Sequence, residues 1–255
     1  MKQILIFLLS VILPVSAFAS DTDPINTATD PIYPFTKKLT PMKIRQRAAR
    51  PDVPGTFLIE IGWNTLQDTP ELMDMNTFGS RTVNLMYLWD VEIGNTGLFF
   101  MPGIGLGLER YKFDNGFTVT QNADGEVSFN NITDLDPKKS MLITNYVDIP
   151  IEFRYYINRQ DPKRSFNIGF GGKFGYRFSS HTKIKYSEAG DDVIVKNKRG
   201  FGLSRIRYGL TGRIGYGGLT LFSYFSLSDM FDEDDGPLGT NDVRGYTIGI
   251  SFTGF

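Results

Sequence analysis

Between residues 142 and 157 the chain reads LITNYVDIPIEFRYYI and alternates strictly in character. Every second residue from Ile143 gives Ile143, Asn145, Val147, Ile149, Ile151, Phe153, Tyr155 and Ile157, a set in which only Asn145 lacks an apolar body. The interleaved set is Leu142, Thr144, Tyr146, Asp148, Pro150, Glu152, Arg154 and Tyr156, and it holds all three charges. A strand sends successive side chains to opposite faces. About 11 residues suffice for a tilted strand to cross the hydrocarbon core of a bilayer. The stretch therefore predicts a membrane-crossing strand with lipid on one side and a polar interior on the other.

The same alternation recurs along the chain. Residues 56–64 set Phe57, Ile59, Ile61 and Trp63 against Glu60. Residues 83–93 set Val83, Leu85, Tyr87, Trp89, Val91 and Ile93 against Asn84, Asp90 and Glu92. A four-residue turn, Gly94-Asn95-Thr96-Gly97, then leads into residues 98–113, and it predicts that Ile93 pairs with Leu98 on the greasy face. Residues 166–180 alternate Phe166, Ile168, Phe170, Gly172, Phe174, Tyr176 and Phe178 with a polar and glycine set that ends on Lys173, Arg177 and Ser179. Residues 203–216 and 219–228 flank Gly217-Gly218, a two-residue hairpin signal that pairs Tyr216 with Leu219. Residues 243–252 give the last strand, with Tyr246, Ile248, Ile250 and Phe252 outward.

Eight strands result. Polar loops after the first, third, fifth and seventh are long, and the turns after the second, fourth and sixth are short. Bacterial outer-membrane barrels show this asymmetry and an even strand count. The fold class expected is all-β: an eight-stranded antiparallel up-and-down transmembrane β-barrel over residues 55–255. Loop 114–139 carries the turn signals Asn115-Gly116 and Asp124-Gly125, which suit a hairpin of its own. Loop 181–200 suits extended strand ends around residues 189–191.

Sorting charges by face gives the candidate site. Inward acids are Glu60, Asp90, Glu92, Glu109, Asp148 and Glu152; inward bases are Arg154, Lys173, Arg177, Arg205, Arg207 and Arg213. Six of each sign would neutralise one another. An eight-stranded barrel is just wide enough for side chains to fill it, so these charges predict a structural polar plug. Alternating glycines at Gly103, Gly105 and Gly107 are expected to leave room for neighbouring aromatics.

The N-terminus changes the picture by fixing a compartment. Lys2, an apolar run over residues 4–15 and Ala17-Phe18-Ala19 have the pattern of a secretory signal peptide cut after Ala19. Residues 20–54 hold Pro24, Pro31, Pro34, Pro41, Pro51 and Pro54 and a basic cluster at Lys43, Arg45, Arg47 and Arg50, and are expected to be a periplasmic extension. The absence of cysteine excludes disulfides and lipoprotein attachment. The formal net charge of −1 gives no support for nucleic-acid binding. Rich aromatic content suits a membrane barrel, and also suits a soluble β-sandwich.

Chemistry is sparse. His181, the single histidine, has Ser179, Ser180, Asp191 and Asp192 nearby in sequence. A serine nucleophile needs its base within hydrogen-bond reach, and adjacent strand residues point apart. No catalytic residue, cofactor or metal is therefore expected, and Asp232-Glu233-Asp234-Asp235 is expected to be a solvated acidic loop. Expected partners are outer-membrane lipid, and proteins docking on the external loops or the 20–54 tail.

The stretch YVDIPIEFRYYI resembles the tyrosine, aliphatic, acid, Ile-Pro strand of the PorT-like outer-membrane β-barrel family of Bacteroidetes. FNIGFGGKFGYRF, LTLFSYFSLSDMF and GYTIGISF stand where that family keeps its fifth, seventh and last strands. The resemblance covers roughly residues 55–255; Tyr146–Pro150 is its most specific piece. It implies an eight-stranded barrel in the outer membrane of a Gram-negative bacterium, without established catalytic residues. The expected role is a structural or interaction component of the outer membrane; the family's named member belongs to a protein secretion and gliding apparatus, and an accessory of a secretion or envelope-assembly machine is the finer form that the resemblance implies. A small transport or ligand-binding barrel is the alternative, and a lipid-modifying enzyme a weaker one. Phe255 supplies the terminal aromatic that barrel assembly prefers, but its parity is opposite to that of Phe252.

Overall fold

The computed structural model describes residues 55–253 apart from residues 115 and 234. The expected signal peptide, the 20–54 extension with its basic cluster, Asp234 and Phe255 lie outside the described residues.

Twelve strands are formed among the described residues: β1 Thr56–Gln67, β2 Arg81–Leu88, β3 Val91–Glu92, β4 Leu98–Phe113, β5 Phe117–Gln121, β6 Val127–Asn131, β7 Lys139–Tyr156, β8 Phe166–Glu188, β9 Asp191–Asn197, β10 Ile206–Tyr216, β11 Leu219–Ser226 and β12 Arg244–Thr253. Eight of them form the wall of a barrel, each antiparallel to the next in the order β10-β11-β12-β1-β2-β4-β7-β8. Pairing of β8 with β10 closes the ring, and β1 pairs with β12, so the first and last strands meet. Closure removes the free edges that an open sheet would expose.

Short-range signals set the register. Ile93 N–H donates to the Leu98 carbonyl at 2.8 Å, and Tyr216 lies opposite Leu219, as the two turns predict. The second expected strand is split between β2 and β3 at residues 89–90. Pro102 is the cause: Trp89 N–H donates to its carbonyl at 2.8 Å, but the proline ring has no N–H to return, and half of a ladder pair is lost. The register does not slip across the break, since Leu88 faces Gly103 and Val91 faces Phe100.

Sidedness follows the alternation. Phe170, Ile149 and Leu210 are 63, 47 and 42% exposed, whereas Lys173 and Glu152 are 4 and 1% exposed. Exposed apolar side chains cover the outer wall from Leu219 and Phe166 at the short-turn end to Trp63 and Phe178 toward the long-loop end. A contiguous greasy surface on this scale belongs against lipid rather than water. Aromatic rings mark its lower rim, where Phe166 and Tyr216 stack edge-on with centroids 5.1 Å apart.

Two features depart from the pattern. On β8, Tyr146 faces Arg177 and Asn145 faces Ser179, leaving Phe178 as an extra residue. This β-bulge flips the sidedness of everything after it. Ser180 and Thr182 therefore turn to the buried side, and Ser179, expected inward, does not.

The second departure is that the long loops are not simply polar. β5 and β6 make the expected hairpin within loop 114–139, and β8 continues past the wall to pair with β9. Met73, Val119, Phe201, Leu203, Met230, Phe231 and Val243, drawn from all four long loops and their margins, pack with Leu66, Tyr111, Phe113 and Leu142 into an apolar core. That core caps the long-loop end of the barrel.

Candidate functional site

The interior is held by two ion clusters. In the one nearer the short turns, Arg213 Nε donates to Glu152 Oε1 and Oε2 at 2.9 and 2.8 Å. Arg213 Nη2 also pairs with Glu60 Oε1. Asn84 Nδ2 donates to Glu60 Oε2 at 2.6 Å, and Arg154 Nη2 to Glu152 Oε2 at 3.0 Å. These side chains come from β1, β2, β7 and β10, so the cluster bridges opposite walls.

In the second cluster, Arg207 Nη2 donates to both Asp148 oxygens at 3.0 and 2.9 Å, and Arg207 Nη1 pairs with Glu109 Oε1. Tyr111 Oη donates to Glu109 Oε2 at 2.9 Å. Lys173 Nζ lies 3.6 Å from Asp148 Oδ2. Both cations also lie over aromatic faces, Arg207 at 3.6 Å from the Tyr146 ring centroid and Lys173 at 4.0 Å from that of Tyr224. An aromatic face attracts a cation most strongly where water is excluded.

Glycine makes the room. A methyl added at Gly107 would meet Asp148 Oδ2 at 2.5 Å and Arg207 Nη2 at 2.7 Å, and one at Gly175 would meet Arg207 Nε at 2.8 Å. Gly107 was expected to clear space for aromatics; it accommodates an ion pair instead.

Of the twelve charged positions read as inward, Glu60, Glu109, Asp148, Glu152, Arg154, Lys173, Arg207 and Arg213 are buried. They are four acids and four bases, so the filling is formally neutral. The other four need correcting. Asp90 and Glu92 lie at the open short-turn end, where Asp90 Oδ2 accepts from Thr56 Oγ1 at 2.7 Å and Glu92 pairs with Arg159 at 3.1 Å. Arg205 is exposed at the long-loop end. Arg177 is half-buried and forms no ion pair among the described residues: it donates to the carbonyl of Leu203 and to Ser180 Oγ, each at 2.7 Å. The physical reason is shared. Strand alternation runs on past the barrel rims, but the packed interior does not.

An opening of about 410 Å³ at the short-turn end is bordered by Thr56, Asp90, Phe99 and Tyr156; two others lie farther along the barrel. Within the barrel, a space of about 20 Å³ lies among Glu109, Tyr146, Arg207 and Tyr224, little more than one water needs. In the cap, a cleft of about 820 Å³ is bordered by Glu126, Arg177, Arg205, Asp232 and Asp235. Neither the cap core nor this cleft was foreseen, because loop residues such as Phe201 and Phe231 carry no periodic signal. Ser180 Oγ is taken up by Arg177 and by the Arg199 carbonyl at 2.6 Å, and Asp192 by Lys138 and Lys185, each at 2.8 Å. His181 Nδ1 is buried without a hydrogen-bond partner among the described residues. Among the described residues no three His, Cys, Asp or Glu side chains converge to hold a metal ion.

A closed antiparallel barrel with a lipid-compatible outside and a neutral ionic filling defines an outer-membrane β-barrel protein. The family model described as outer membrane protein beta-barrel domain matches residues 61–232, and the chain belongs to that family. No curated protein matched the chain. Among solved structures, Ail, the attachment invasion locus protein of Yersinia pestis, is 14% identical with a TM-score of 0.34, over 79% of this chain and 99% of that one. It has also been solved in complex with the heparin analogue sucrose octasulfate. A mutant porin of Rh. blastica is 12% identical with a TM-score of 0.18, over 78% and 99% of the two chains. These scores support no functional inference.

Proposed function

We propose that this outer-membrane barrel is an interaction protein, in which a closed, ion-filled stem presents an ordered cap to a partner outside the cell. The observation that carries this reading is the filled interior: eight buried charges pair across it, and the space beside Glu109, Tyr146, Arg207 and Tyr224 is about 20 Å³, too little for a hydrated ion or solute to pass. The long loops face outward and the short turns the periplasm, the arrangement usual for bacterial barrels.

A signal peptide cleaved after Ala19, a periplasmic 20–54 extension, and membership of the PorT-like group of Bacteroidetes, with an accessory role in secretion or envelope assembly, belong to the same proposal. No catalytic activity is assigned. Replacing His181 by Ala is expected to leave lipid A modification in the host membrane unchanged.

Planar-bilayer recording tests the central claim. The purified chain is expected to give no steady conductance, and discrete single-channel steps would overturn the reading. Crosslinking in native membranes is expected to recover a protein joined to cap residues; products formed through the barrel wall alone would also count against it. The cap cleft of about 820 Å³ favours a second reading, a barrel that binds a small polar ligand between Arg205 and Asp232. Saturable ligand binding abolished by Arg205→Ala, with no protein crosslinked to the cap, would select it.

A further inference from the structure

Above the greasy band, the outer wall becomes basic on one side only. On β4 the outward apolar residues run from Leu98 to Leu108, and the next outward residue is Arg110. Ten residues at the usual strand rise and tilt span about 25 Å along the membrane normal, the height of the hydrocarbon-facing band. Arg110 therefore stands where acyl chains give way to headgroups. On β2 the residue two positions before Val83 is Arg81, and it lies directly opposite Arg110. Beyond the bulge on β8, Lys183 faces outward directly opposite Lys196 of β9. The fields of Arg110, Lys183, Lys196 and Lys198 all bear on His181, between the two pairs.

Like charges directly opposed across strands are destabilising. Higher up, Lys139 also faces Lys185, but that rung has its own counter-ion, since Asp192 accepts from Lys185 and Lys138. The two rungs nearer the lipid have none: among the described residues, Arg81, Arg110, Lys183 and Lys196 form no ion pair with a carboxylate. The opposite side of the barrel differs. There the outward residues at this end include Tyr208, Ile206 and Leu227, and Arg244 is paired with Asp229 at 2.9 Å.

We propose that the two unneutralised rungs, Arg81–Arg110 and Lys183–Lys196, form a binding site for the phosphorylated headgroup of an outer-leaflet lipid. The chemistry is an anion with several acceptor oxygens, presented from the membrane side. A phosphorylated glycolipid supplies it, and its acyl chains would lie on Leu108, Val83 and Phe178 directly below. Basic side chains at a membrane surface attract anionic lipid additively. The inference rests on the outward orientation of the long loops.

The test uses the full chain in detergent micelles, with bound lipid counted by native mass spectrometry. The probes are bis-phosphorylated lipid A, the same lipid stripped of phosphate, and inorganic phosphate. The wild-type chain is expected to prefer the phosphorylated lipid by about tenfold or more, and Arg110→Gln, Lys183→Gln and Lys196→Gln combined to abolish that preference. Arg164→Gln, which removes an exposed cation at the short-turn end, is expected to keep it. Equal binding of the two lipids, or a preference surviving in the triple variant, would overturn the proposal. So would displacement of bound lipid by millimolar inorganic phosphate, which would assign the rungs to a free anion. Heat-modifiable gel migration verifies that each variant is folded. A chain that incorporates into neither lipid would instead refute the membrane-barrel reading, a distinguishable result.

Discussion

Arg213 and Glu152, 61 positions apart in sequence, meet inside the barrel with Arg213 Nε at 2.9 and 2.8 Å from the two carboxylate oxygens. Glu152 also takes Arg154, so one carboxylate serves two guanidinium groups. Removing it strands both.

Glu152→Leu is accordingly expected to cost about 3–5 kcal/mol of stability, the usual penalty for breaking a buried pair. Glu126→Leu, in an exposed loop where the carboxylate meets only Asn122 at 3.1 Å, is expected to be near neutral. Urea unfolding of both variants in detergent measures the difference; equal midpoints would show that the filling does not hold the barrel.

Gly107→Ala puts a methyl 2.5 Å from Asp148 Oδ2. Overpacking of this kind costs about 1–3 kcal/mol. Gly172→Ala is the control, because its nearest neighbour, the Gly209 carbonyl oxygen, would be 3.4 Å away. The first is expected to lower the unfolding midpoint and the second to leave it in place.

Phe201 is fully buried in the cap core. Phe201→Ala is expected to destabilise the cap locally, by up to about 3–5 kcal/mol, without reaching the stem. Limited proteolysis should cut the long loops faster, while the heat resistance of the membrane-embedded part stays at the wild-type value. Loss of both together would mean that cap and stem fold as one unit.

Asp192, on the exposed β8–β9 hairpin, has its carboxyl pKa lowered to about 2, chiefly by the hydrogen bonds from Lys138 and Lys185. An unperturbed aspartate titrates near about 3.9. The lowered value means that these contacts favour the folded hairpin above that pH and stop doing so as the pH falls toward 2. NMR titration of the carboxyl carbon should give a midpoint near 2 in the wild type and a higher one in Lys138→Gln. A wild-type midpoint near 4 would mean that the lysines do not hold it.

The wall of the barrel was legible in the sequence because its two solvents differ. Ile149 and Lys173 sit against lipid and against ions, and a period of two records that contrast. The turns were legible too, since Gly94-Asn95-Thr96-Gly97 and Gly217-Gly218 leave few ways to close a hairpin. Where the contrast fades, so does the signal. Asp90, Glu92 and Arg205 keep inward parity but stand beyond the packed interior, in water. Phe178 has the composition of any outward residue, so nothing in its type discloses that it is supernumerary. Phe201, Met73 and Phe231 meet only because the loops fold on one another, a long-range event without a local period.

That supernumerary Phe178 decides an address. With it bulged out, His181, Lys183 and Lys185 lie on the membrane side of the sheet; paired regularly at this point, the same sequence would turn the distal arm of β8 over and drive those cations beneath the cap, while Ser180 and Thr182 moved out to the lipid boundary. A single inserted aromatic thus acts as a frame marker, letting one continuous ribbon obey one solvent rule below it and the inverse rule above.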